Sequence, residues 1–228
     1  MRPDFLRVLL LSSACVLSAC PAPSPSPSPS EPDAGTPPPA DAGTGSTGDV
    51  TPSSRNSLRI LNPEQLTAHF SAALSLPPEQ LCNELGRYAC TTNVHTVVLN
   101  GVDPYVVGLF EPLKTTGATT PNVIDRVALA ACARRVSLDV TTPGEAVLFK
   151  GLELDAQGRL AHREGAPVRD AITSLYQRTL LRDPTETEVG TLSQLAAQIE
   201  ASGSQTPGRD WMTMACFAVL SSAESIFF

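Results

Sequence analysis

Lysine is nearly missing from this 228-residue chain: only Lys114 and Lys150 occur, and the formal charge is −7. Binding nucleic acid through its phosphates takes a basic patch or stripe, so no nucleic-acid partner is expected. The same shortage argues against adhesion to an anionic membrane by charge. Long apolar runs are missing too. The most apolar stretch, Leu6 and then Val8 to Leu17, is too short to cross ~30 Å of hydrocarbon, which takes about 20 residues of helix. No Cys-x-x-Cys-His occurs, so a covalent c-type haem is not expected. No Gly-x-Ser-x-Gly occurs, so the strained elbow that presents a hydrolase serine has no counterpart here. No cofactor is expected.

What is present begins with an export signal. Arg2 and Arg7, offset only by Asp4, precede the short apolar run, which suits a secretory h-region. The run ends in Leu17-Ser18-Ala19-Cys20, which resembles the lipobox of bacterial lipoproteins. That resemblance implies residues 1–19 as a signal peptide, cleavage before Cys20, a diacylated Cys20 thiol and an acylated new amine. Each buried methylene contributes ~0.8 kcal/mol, and two chains suffice for durable anchoring. Pro21 follows, and in such lipoproteins the absence of Asp there implies the outer membrane. Whether the domain faces the periplasm or the exterior stays open. The expected partners are therefore the membrane, through Cys20, and an envelope protein.

Residues 20–56 read as a disordered tether. Ten prolines fall between Pro21 and Asn56, with Ser-Pro repeats from Ser24 to Pro29 and a Gly/Ser/Thr run from Gly43 to Gly48. Such a composition cannot bury enough apolar surface to offset the entropy of ordering. Fully extended it would reach on the order of 110 Å, and as a coil about 30 Å.

Residues 57–228 form one domain with room for a sizeable core. Of the six cysteines, Cys15 leaves with the leader and Cys20 carries lipid. Cys82, Cys90, Cys132 and Cys216 remain, and an exported domain favours two disulfides among three pairings. Proximity favours Cys82–Cys90 and hence Cys132–Cys216. Buried free thiols are the alternative, because Cys132 and Cys216 sit among alanines in helical context.

Helix signals dominate this domain. Asn62-Pro63-Glu64-Gln65 spells a capping box with Pro at the first turn, and Leu66, Phe70 and Leu74 form one stripe before Pro77. A second short helix is expected from Pro78 to about Gly86, presenting Leu81 and Leu85. Residues 91–119 read as irregular, packed onto helices and pinned by the nearby cysteines. Val94–Leu99 is a weak strand candidate, and Tyr105–Phe110 a helical turn or buried extended segment. Thr120-Pro121 opens a helix to about Val136, lined by Ile124, Val127, Ala128 and Ala131. Thr142-Pro143-Gly144-Glu145 has the spelling of a capping box and predicts a short helix to Lys150. Three helices follow. One runs from Val168 to Leu181, with Ile172, Leu175, Tyr176 and Thr179 aligned. One runs from a Thr185/Glu188 box to Ala201, with Val189, Leu192, Leu195, Ala196 and Ile199 aligned. One runs from Arg209 to Ser222, with Trp211, Met214, Ala215 and Ala218 aligned. The fold class is all-α, an orthogonal bundle of about six helices with long irregular loops.

The stretch Leu175-Tyr176-Gln177-Arg178-Thr179-Leu180-Leu181-Arg182-Asp183-Pro184-Thr185-Glu186-Thr187-Glu188, followed by Trp211…Ala215-Cys216…Ala223-Glu224, resembles a helical segment of large exported planctomycete and myxobacterial proteins. Many of those carry or accompany cytochrome c domains. The resemblance implies a non-haem partner of a periplasmic electron-transfer or degradative system, and it carries no catalytic residue. Together with the lipobox and tether, it also resembles a myxobacterial lipoprotein.

Chemistry-bearing candidates are few. Cys82, Cys90 and His95, with Cys132, could hold a metal, but the spacing matches no compact zinc pattern. His69 and His162 read as surface histidines. Asp183, Glu186 and Glu188 read as first-turn helix acids. Arg134-Arg135 reads as a solvated helix end, with anion binding as the alternative. Asp103 is the carboxylate to inspect for burial. The leading expectation is a membrane-anchored, non-enzymatic accessory or scaffold for an envelope complex. A small hydrolase built on His95 or Asp103 is a further alternative.

Overall fold

The computed structural model describes residues 59–113 and 117–227. The expected signal peptide, the lipidation residue Cys20 and the tether to residue 56 lie outside the described residues. The domain is all-helical apart from one two-stranded hairpin. Its order is α1 (Pro63–Leu74), a 3-10 turn (Pro78–Gln80), β1 (Asn83–Glu84), β2 (Tyr88–Ala89), a π-helical turn (Cys90–Val94), α2 (Thr120–Thr141), a 3-10 turn (Pro143–Glu145), α3 (Ala166–Leu180), α4 (Glu186–Ala201), α5 (Pro207–Leu220) and α6 (Ala223–Ile226).

α5 is the hub, packing against α2, α3, α4 and α6. Trp211 on α5 is fully enclosed. Its indole N–H donates to Leu192 O on α4 at 2.8 Å, and its ring stands edge-on to Phe149 with centroids 6.1 Å apart. A buried indole needs such a partner. The Cys132–Cys216 disulfide ties α2 to α5 across the core. α1 lies on α3 and α2 and buries the expected stripe of Leu66, Phe70 and Leu74. At the chain ends, Ile60 and Phe227 form an antiparallel bridge, and Leu61 N–H donates to Ile226 O at 2.9 Å.

Two capping boxes form as spelled. Asn62 and Gln65 exchange bonds of 2.8 and 3.1 Å. Thr185 and Glu188 do the same at the start of α4. The third, at Thr142, does not form. α2 continues past Val136 to Thr141, and the Thr142 hydroxyl reaches back to Leu138 O at 2.9 Å. Thr142 therefore ends one helix rather than opening the next, and only one 3-10 turn follows it.

The helix expected over 78–86 is also corrected. After one 3-10 turn the chain enters the hairpin, whose Leu85 and Gly86 both have positive φ. The reversal brings the Cys82 and Cys90 Cα atoms to 5.4 Å in their disulfide, where unbroken helix through to Cys90 would hold them about 12 Å apart. Leu81 is buried as expected, but Leu85 is 88% exposed at the hairpin tip. Val94–Leu99 forms no strand; it is turn and π-helical turn, with Leu99 buried. On α5 the buried face is Trp211, Met212, Ala215, Cys216 and Val219, while Met214 and Ala218 face outward.

Candidate functional site

Three arrangements of side chains stand out, and the first is a buried ion pair. Arg135 and Asp139 lie one turn apart on α2, and both are buried. Arg135 Nη2 meets Asp139 Oδ1 at 2.7 Å. The carboxylate also accepts the Val147, Leu148 and Phe149 N–H groups at 3.0, 2.9 and 3.1 Å. One carboxylate thus gathers the chain that leaves the 3-10 turn. Arg135 is not the solvated helix end expected of it; α2 is longer than expected, and the residue falls on its inner face. Arg134 is exposed and bonds the Gln80 side chain.

That gathered chain shapes the second arrangement, an open cleft of about 520 Å³. Phe149 and Met212 are its most buried apolar lining residues, with Val140, Leu152 and Leu154 beside them and Pro143 and Glu153 more exposed. Leu154 pairs with Leu160 in a short bridge. It lies so close to Gly208 that a Cβ there would sit 2.4 Å from Leu154 Cδ2. Gly208 N–H in turn donates to Gly158 O at 2.7 Å. Asp139 borders the cleft, but both its oxygens already accept bonds, so the cleft's surface is mainly apolar.

The third is a loop, Val102 to Leu113. Asp103 and Leu109 exchange backbone bonds of 3.0 and 2.9 Å, and the Asp103 carboxylate accepts Val106 N–H at 3.0 Å. Asp103 is therefore half-buried and engaged in shaping the loop. Tyr105, Val106, Val107 and Phe110 are 97, 86, 63 and 76% exposed, which corrects the expected buried segment. The sequence signal was an apolar run closed between Pro104 and Pro112, too short for a packed element.

The remaining candidates are dispersed. His69 Nε2 lies 3.0 Å from Ser225 Oγ. Burial holds this imidazole below its ordinary pKa, and the contact joins α1 to α6. His95 Nε2 meets Glu84 Oε1 at 2.7 Å, and Arg126 approaches the same oxygen at 3.4 Å. This clasps the hairpin to the π-helical turn and α2. Neither His95 nor Asp103 lines the cleft. His162 is exposed and borders a smaller hollow near Leu160 and Pro167. The three thiols of the metal set are held in the two disulfides, Cys82–Cys90 and Cys132–Cys216. Among the described residues no cluster of His, Cys, Asp and Glu is arranged to hold a metal.

The motif of the α3–α4 segment resolves into structural contacts. Arg178 donates to Ala73 O at 2.8 Å and Ala72 O at 3.1 Å, capping the end of α1. Arg182 is held by both Glu188 oxygens and both Glu224 oxygens at 2.7–3.0 Å, with its guanidinium over the Tyr176 ring. Its hydrogen bond to Arg182, joined by the Thr185 N–H, holds the Glu188 carboxyl at about 2. Arg182 also lowers Glu224. Glu186 is lowered by its exposed pair with Arg169, while Asp183 accepts from Gln177.

No family model, no curated protein and no solved structure matches the chain. No helix among the described residues is long and apolar enough to cross a membrane.

Proposed function

We propose that this protein is a lipid-anchored, non-enzymatic accessory of the bacterial envelope, held at the outer membrane through Cys20, whose domain binds another envelope protein. The export segment, the Leu-Ser-Ala-Cys box and the Pro-rich tether support the anchoring. The observation that carries the binding role is the 520 Å³ cleft over Phe149 and Met212. Its volume falls in the range of ligand-holding concavities, about 300–1,000 Å³, and its exposed wall residues suit insertion of a partner's apolar side chains. Apart from the exposed His162, the His, Asp and Glu candidates each serve a structural contact, so the cleft is the better-supported working surface.

The test is a mild-detergent pull-down of the native protein, with a photo-crosslinker at position 152 and a Leu152→Glu, Leu154→Glu variant in parallel. One envelope protein recovered in stoichiometric amount, crosslinked from position 152 and lost with the variant, is the expected result. Recovery of the protein alone under crosslinking removes the scaffold role.

A further inference from the structure

We infer that the Val102–Leu113 loop is a second membrane contact, inserting Tyr105, Val106, Val107 and Phe110 into the lipid headgroup–acyl boundary beneath the tethered domain. The inference rests on the anchoring part of the proposed function, and it uses a surface separate from the cleft.

Four observations favour lipid over a protein groove. The first is composition: no charged side chain stands between Asp103 and Glu111, and the Asp103 carboxylate is turned back onto Val106 N–H. The tip offers the bilayer no free ion. The second is the backbone. A segment entering lipid must satisfy its own N–H and C=O groups. Here Asp103 and Leu109 exchange both of theirs, and Val106 N–H is accepted within the loop; the other amides of the tip keep to the wet headgroup level, which sets the insertion as shallow. The third is shape, since exposure of the three consecutive side chains Tyr105, Val106 and Val107 describes a protruding tip.

The fourth is position. The base of the loop, Gly101, lies against the first turn of α1. A Cβ at Gly101 would sit 2.7 Å from Pro63 Cγ. Pro63 is three residues from Ile60, where the chain from Cys20 joins the folded domain at its bridge to Phe227. Loop base and tether attachment thus share one corner. A chain of the 38 residues between Cys20 and Arg59 would average about 30 Å as a coil and reach on the order of 110 Å extended, so anchoring at Cys20 would hold that corner near the surface. At that effective concentration a shallow apolar contact of a few side chains suffices. The acidic chain offers anionic lipid no attraction, so the contact is apolar rather than electrostatic and salt should not weaken it.

Tryptophan fluorescence tests this on the full-length mature protein in vesicles of phosphatidylethanolamine and phosphatidylglycerol. Trp211 is the only tryptophan and is fully enclosed, so wild-type emission is a fixed background. Phe110→Trp and, separately, Val106→Trp report the loop. Leu129→Trp reports an exposed face of α2. Each variant's fold is checked by circular dichroism. The expected result is blue-shifted emission from both loop reporters, with about a twofold loss to lipids brominated on their acyl chains, the depth expected of an interfacial segment. Leu129→Trp should be quenched by aqueous iodide instead. Iodide quenching at the loop, or equal bromolipid quenching at all three positions, overturns the proposal. So does loop protection that appears only when an envelope protein is added. The lipid on Cys20 is read separately by mass, so failure of the loop and failure of the anchor are distinguishable.

Discussion

Residues 120–226 and residues 78–113 are built on different terms. In the first region each long helix buries a face against its neighbours, and the main charged groups answer one another: Arg135 with Asp139, Arg182 with Glu188 and Glu224. In the second, between α1 and α2, the chain makes one 3-10 turn, a hairpin with two residues per strand, one π-helical turn and an apolar loop. A disulfide and a few side-chain bonds hold it in place. The first region places most of its large apolar side chains inside, with Leu181, at 88% exposed, its main exception. The second leaves Leu85, Tyr105, Val106 and Phe110 to solvent. Side chains that no packing requires are free to meet something outside the domain, and the proposed roles of loop and body differ on that ground.

The sharpest way to test this difference is through the two disulfides. By the loop-entropy relation, closing the 84-residue separation of Cys132 and Cys216 contributes about 4.5 kcal/mol, and closing the eight-residue separation of Cys82 and Cys90 about 2.5 kcal/mol. Urea unfolding of the Cys132→Ala, Cys216→Ala pair should therefore lose more stability than the Cys82→Ala, Cys90→Ala pair. Equal losses would erase the distinction between body and appendage.

Next in size is Asp139→Ala. It leaves Arg135 buried without its counter-charge and strands three amide groups, a change expected to cost about 3–5 kcal/mol. The same unfolding experiment reads it, and the cleft residues 147–154 should lose protection first in hydrogen exchange. At the join between the regions, Gly101→Ala forces a methyl into Pro63 and Thr96. Overpacking of this kind costs about 1–3 kcal/mol.

Acid gives a further contrast. Glu188 is held at about 2 in the folded domain, below an unfolded value near 4.3. The stability it contributes is present above about pH 4.3 and is lost as pH falls toward 2. His69, lowered by burial, acts in the same direction below its unfolded pKa near 6.5. Melting temperature should fall on acidification, and Arg182→Gln should flatten the part below pH 4.3, because Arg182 is the chief cause of the Glu188 shift. The smallest effect belongs to the loop: Tyr105→Ser and Phe110→Ser should change stability by no more than about 0.5 kcal/mol, as surface substitutions do.

Much of the fold was legible in the sequence because its signals are local. The Asn62/Gln65 and Thr185/Glu188 boxes, the Leu66–Phe70–Leu74 stripe and the preferred cysteine pairing all match the structure. Thr142-Pro143-Gly144-Glu145 has the same spelling as a true box and failed, because a threonine hydroxyl serves the preceding helix equally well. The hairpin was hidden for a different reason. Pro78 and the leucines that follow read as helix, and the reversal turns on a positive φ at Leu85 as well as at Gly86, which a leucine does not announce. The i,i+4 spacing of Arg135 and Asp139 was visible as a pair. Its burial depends on α2 running to Thr141, and its three amide bonds depend on the path of residues 147–149, which no local pattern encodes. The loop's exposure was missed because an apolar run is ordinarily a sign of burial, and only the surrounding fold shows that nothing covers it.

The working surfaces named here depend on the domain standing at a membrane. The most direct measurement is the intact mass of the mature protein isolated from cell envelopes, with the N-terminal peptide sequenced. The account predicts a chain beginning at Cys20 and carrying acyl chains on its thiol and amine. A chain beginning at any other residue, or an unmodified Cys20, would contradict it.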